Sequence, residues 1–140
     1  MPIHYSPASV VIADTPAGIL EWAACHIEHV GIHQGPHLFA GPGRTVTLPC
    51  WPRGALQVAA GQGRVTAGRT YDWDRIDHAL DQAFALLAET ITGYPVTVGE
   101  SAAVNILHRD VIDRWSAEPG RTATEAARAF RSAAARAPIF

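Results

Sequence analysis

Residues 72–91 read DWDRIDHALDQAFALLAETI, and this stretch decides the fold. Its apolar residues Trp73, Ile76, Leu80, Ala83, Phe84, Leu87 and Ile91 recur at spacings of three and four, the period of one helix face. A long amphipathic helix is predicted here. Toward the C-terminus, Gly93, Tyr94 and Pro95 read as a turn, and a short extended Val96-Thr97-Val98 leads to a helix capped by Ser101. Its apolar seam is Val104, Leu107, Val111 and Trp115, and Pro119-Gly120 break it. Thr122 followed three residues later by Glu125 has the capping-box spacing, so a last helix opens there and buries Ala126, Phe130 and Ala134.

Toward the N-terminus, the loop GQGRVTAGR (61–69) precedes the long helix, and a shorter helix is predicted in CWPRGALQVAA (50–60), where Pro52 suits a first turn. The segment GIHQGPHLFAGPGRTVTLP (31–49) is dense in Gly and Pro, and its only alternating stretch is Arg44 to Leu48. It reads as a loop with at most a short hairpin. Before it, Thr15 as N-cap and Pro16 at the first position open a helix that runs to about Val30 and stops at Gly31. Ile19, Leu20, Ala23, Ile27 and Val30 share one face of it, opposite Glu21 and Glu28. The reading is an all-α fold of five helices in one domain, residues 1–140, with residues 1–14 as a loose leader.

The chain has 140 residues, 48% of them hydrophobic, which is enough to bury a core of one domain's size. Charged residues are 17% and the formal net charge is -2; all eleven basic residues are arginine. Neither nucleic acid nor an anionic membrane is an expected partner on that balance. Two cysteines, Cys25 and Cys50, are too few for a disulfide scaffold and form no CxxC pair. The N-terminal MPIHYSPASVVIA has no Arg or Lys before its apolar run, and no apolar stretch approaches the roughly 18 residues of a membrane span. The expected localisation is cytoplasmic.

Three constellations carry possible chemistry. Cys25, His29 and His33 are spaced four apart, so a helix would stack them as three zinc ligands with a fourth position open; their bland alternative is a small buried thiol beside polar neighbours of a helix end. Zinc is the one cofactor this suggests, and no other is expected. Cys50 sits at a predicted helix start beside Arg53, where N–H dipoles and a guanidinium would favour a thiolate nucleophile for acyl transfer or hydrolysis. Its base would be His78, flanked by Asp74 and Asp81, or His108, which lies on the apolar seam; the bland alternative is a packed cysteine beside Trp51. The C-terminal helix carries Arg128, Arg131 and Arg136 after Arg121, but no helix-turn-helix spacing accompanies them.

No catalytic signature is complete. The leading expectation is a small binding or regulatory module that contacts a protein or a small molecule, with Trp51, Tyr71 or Tyr94 as anchors.

GIHQG at 31–35, CWPRGAL at 50–56 and WSAEPGRTATEAARAFRSAA at 115–134, in that order, resemble a family of small actinobacterial and actinophage proteins known only as a domain of unknown function. The resemblance covers most of residues 17–136 and implies a helical fold and a bacterial or phage cytoplasm. It marks Cys50 for attention and supplies no activity. The chain departs from the pattern at Ile32, where an aromatic is common, and at Ser116-Ala117, where Asn-Asp tends to follow the tryptophan; any role of that polar pair would be missing here.

Overall fold

The computed structural model describes residues 5–64, 68–93 and 102–138. Within them the chain forms five α-helices and no strand: α1 (Pro16–Val30), α2 (Pro52–Ala59), α3 (Trp73–Thr92), α4 (Ala102–Ser116) and α5 (Ala123–Ala135). The expected extended Val96-Thr97-Val98, Tyr94 and the Ser101 cap lie outside the described residues. Local chemistry accounts for most helix ends. The Thr15 hydroxyl accepts from Gly18 N at 3.1 Å, and Gly31, at φ 93°, donates back to Ile27 O as α1 stops. Asp72 caps α3 through Arg75 N, and the capping box of Thr122 and Glu125 opens α5.

α1 is the organising element. It packs against α5, α2 and α3, and seven of its residues are buried, among them Ile19, Leu20 and Ile27. Phe84 and Leu87 of α3, Leu56 and Val58 of α2 and Phe130 of α5 complete the core around it. Each such side chain contributes about 1.5–3 kcal/mol by leaving water. Leu80 is half-buried against this core, whereas Trp73, at the first turn of α3, is 44% exposed and rests on Tyr71.

α4 departs from its expected seam. Leu107 is 62% exposed; the inward residues are His108, Ile112 and Ser116, one position further along, a rotation of about 100°. The sequence carries apolar residues on both faces, and the packing against α3 and α2 chooses between them. Ser116 is tolerated inside because its hydroxyl donates to Ile112 O at 2.7 Å.

Between α1 and α2 there is no hairpin. Thr45–Thr47 form a single 3₁₀ turn, and isolated bridges join Cys50 to Ile32 and to Phe39. The loop therefore folds back on both sides of Cys50. Gly54 permits this, since a Cβ there would sit 3.2 Å from Cys50 Cβ and 3.3 Å from Leu38 Cγ. Residues 5–14, read as a leader, form no helix or strand but are tied down by Tyr5, Ile12 and the side chains of Arg64 and Tyr71.

Candidate functional site

The three segments GIHQG, CWPRGAL and WSAEPG meet at one end of the bundle. Cys50 N donates to Gly31 O at 3.2 Å and His33 N donates to Cys50 O at 2.9 Å, which lays the first turn along the second segment. The Trp51 indole N–H donates to Gly35 O at 2.9 Å, fixing the ring. Gln34 Nε2 donates to Ser116 O and Glu118 O at 2.9 and 2.7 Å, binding the same turn to the end of α4. Arg53 Nε, in the first turn of α2, donates to both carboxylate oxygens of Asp113 on α4 at 3.0 Å. These contacts frame a cleft of about 300 Å³ walled by Leu38, Trp51, Arg53, Asp113, Arg114 and Ala117.

The cleft is amphipathic. Trp51 and Leu38 supply apolar surface, while the Arg53–Asp113 pair, each side chain 28% exposed, supplies donors and acceptors at its edge. Only Nε of Arg53 is used on Asp113; its terminal amino groups donate no hydrogen bond among the described residues. A guanidinium held by one edge and open at the other suits an incoming carbonyl or carboxylate oxygen. At the end of α4, Ser116 turns inward while Ala117 forms part of the cleft wall.

The cysteine and histidine expectations fare differently. Cys50 does not present a thiol to solvent: it is fully buried, and burial pushes its pKa up to about 12. A thiolate stabilised by Arg53 was expected there, and the shift runs the other way because the side chain turns into the core while Arg53 is engaged by Asp113. No hydrogen bond joins the Cys50 sulfur to an imidazole among the described residues. His78 stands on the exposed face of α3, and His108 is buried on α4, its pKa lowered by burial against a weaker opposing pull from Asp81.

The zinc stripe is likewise not assembled. α1 ends at Val30, so His33 leaves the helix that was to align it with Cys25 and His29. Cys25 faces the Arg131 guanidinium, its sulfur 3.9 Å from Nη2. Among the described residues no three His, Cys, Asp or Glu side chains are grouped to hold a metal ion. On the arginine-rich C-terminal helix, Arg131 pairs with Glu28, Arg136 with Glu89, and Arg121 with Glu125 while lying over the Trp115 ring at 3.9 Å.

Sequence reasoning singled out Trp51 and Arg53 but missed Gln34 and Asp113. Asp113 carries no trace in the sequence, because it stands at the edge of a packed face, beside Ile112, that only the packing of α4 reveals. The segments that meet at the cleft lie within the stretch that identifies the chain: it belongs to DUF6197, a family of unknown function, which it matches over residues 12–136. Comparison with curated proteins and with solved structures gives no match. No helix among the described residues is long and apolar enough to cross a membrane.

Proposed function

We propose that this protein is a small cytoplasmic binding module that recognises a partner protein through the cleft between the Gly31–Pro49 loop and the ends of α2 and α4. The observation that carries this reading is the Arg53–Asp113 pair set beside Trp51 in an open cleft, with the outer edge of the guanidinium making no hydrogen bond among the described residues. Arginine and tryptophan are the residues that most often dominate interface energetics, because each offers large contact area together with directed donors. The partner supplies an acceptor oxygen to Arg53 and an apolar group to Trp51 and Leu38. A bacterial or phage setting follows from the resemblance of the three segments to actinobacterial and actinophage proteins.

The test uses Ala117, which is exposed, lines the cleft and holds no core position. Ala117→Trp fills the cleft without touching the framework. A partner captured by the wild-type chain is expected to lose at least about tenfold in affinity for Ala117→Trp and for Arg53→Gln, with thermal midpoints little changed. Equal capture by all three proteins would remove the cleft as the recognition site.

A further inference from the structure

A second site lies under residues 5–12 and shares no residue with the cleft. Arg64, 8% exposed, donates through Nη2 to Ser9 O at 2.7 Å and Val11 O at 3.0 Å, and through Nη1 to Ala59 O at 3.3 Å. The Tyr71 hydroxyl donates to Val10 O between them. Three successive carbonyls of the segment are thus held by side chains of the helical framework. Tyr5 anchors its start, with its hydroxyl 2.7 Å from His26 Nδ1 and its ring 4.9 Å from that of Trp22; Ile12 is buried at its end. The segment itself makes one internal backbone bond, Ser9 N to Ser6 O. This is how a bound peptide is gripped: main-chain groups by fixed donors, two side chains by pockets.

The segment is an incomplete occupant. Arg64 is a buried cation with no carboxylate partner among the described residues, and its Nε has no hydrogen bond. Trp22 Nε1 and His26 Nε2, on side chains 2% and 0% exposed, are also unpartnered. The indole and imidazole are stacked at 4.8 Å and the guanidinium lies 4.3 Å over the Trp22 ring, so the three belong to one cluster. Buried polar groups are almost always satisfied, and a buried charge is usually paired with its opposite. The family match starts at residue 12, so Trp22, His26 and Arg64 belong to the matched region while residues 5–11 do not.

We infer that the groove lined by Trp22, His26, Arg64 and Tyr71 is a peptide-binding site, occupied in cis by residues 5–12, whose partner is a short acidic peptide with an aromatic anchor. The aromatic residue takes the place of Tyr5 on Trp22. The acidic side chain supplies the carboxylate that Arg64 lacks and an acceptor for the Trp22 indole.

Two peptides test this: YSPASVVIA, the chain's own residues 5–13, and the same peptide with glutamate in place of the serine at position 9. Fluorescence anisotropy measures their binding to the full chain carrying Tyr5→Ala, which frees the groove, and to the wild type. The glutamate peptide is expected to bind Tyr5→Ala at least about tenfold tighter than the serine peptide, and tighter than it binds the wild type. That preference should vanish when Arg64→Gln is added, and should weaken between about 0.05 and 0.5 M salt. Failure of the glutamate peptide to bind, equal binding of the two, or a preference indifferent to Arg64 overturns the inference. Should Tyr5→Ala not fold, the two peptides are compared on the wild type, where the same preference is expected at weaker affinity, and Arg64→Gln failing to fold leaves the salt dependence as the deciding measurement.

Discussion

Arg53 and Arg64 lie eleven positions apart, the first in the opening turn of α2 and the second beyond its end, yet the protein treats their charges in opposite ways. Arg53 sits at a cleft that water reaches, and Asp113 neutralises it with a carboxylate. Arg64 is buried beneath the N-terminal segment and is met by carbonyl dipoles and the face of Trp22. Burial accordingly lowers the Arg64 pKa, against weaker opposing effects of Tyr71 and Tyr5. The contrast separates a site already balanced at its inner edge and open outward from one that is closed but electrostatically unfinished.

The largest effect expected from this contrast is at Arg64. Arg64→Ala removes three hydrogen bonds and the contact with Trp22, and should cost about 2–4 kcal/mol in denaturant unfolding. A loss under about 1 kcal/mol would break the distinction, for it would make the buried cation no more consequential than an exposed one. The same cluster should respond to acid. His26 titrates at about 4 in the folded protein against an ordinary 6.5, lowered first by burial and then by His29 and Arg64. The unfolded chain takes up this proton first. Stability is therefore fully present above pH 6.5 and falls as pH drops toward 4, by about 3 kcal/mol in all. Subtracting the profile of His26→Gln isolates this component, and parallel profiles would refute it.

At the cleft the effects should be smaller. Arg53→Ala is expected to cost about 1 kcal/mol and to lose part of that cost in high salt, since the pair is partly solvated. A salt-insensitive loss as large as that of Arg64→Ala would put the two arginines in one class. The smallest effect is predicted for Leu107→Ser on the outer face of α4, within about 0.5 kcal/mol. A larger loss, read from the thermal midpoint, would mean that α4 is turned the other way and that Asp113 does not face Arg53.

What could be read from the sequence follows from how local each cause is. The Thr15 cap, the Gly31 stop and the Thr122–Glu125 box act within a turn of helix, and each is where the sequence puts it. The face of α4 is set by a different helix, and a stripe of Leu107 and Val111 is no less periodic than one of His108, Ile112 and Ser116. For Cys50, helix-start chemistry points to a thiolate, but the fold-back of residues 31–49 bridges Phe39 and Ile32 to Cys50, whose side chain is fully buried. Trp51 and Arg53 were legible as candidates. Their partners Gly35 and Asp113 were not, because contacts across 16 and 60 residues leave no periodic trace. Arg64, inside a glycine-rich loop, gave no hint that its guanidinium would be covered.

The Gln34 bridge has a kinetic consequence. It closes loops of 82 and 84 residues with a single side chain, so it can form only after α4 and the turn following it have docked. Long-range closures of this kind carry a high entropy cost and come late in folding. An intermediate with all of its helices but without this closure would have Trp51 and Arg53 in place and no wall opposite them. Partner recognition would then report completion of folding, and a helix-rich but unfinished chain would be invisible to it.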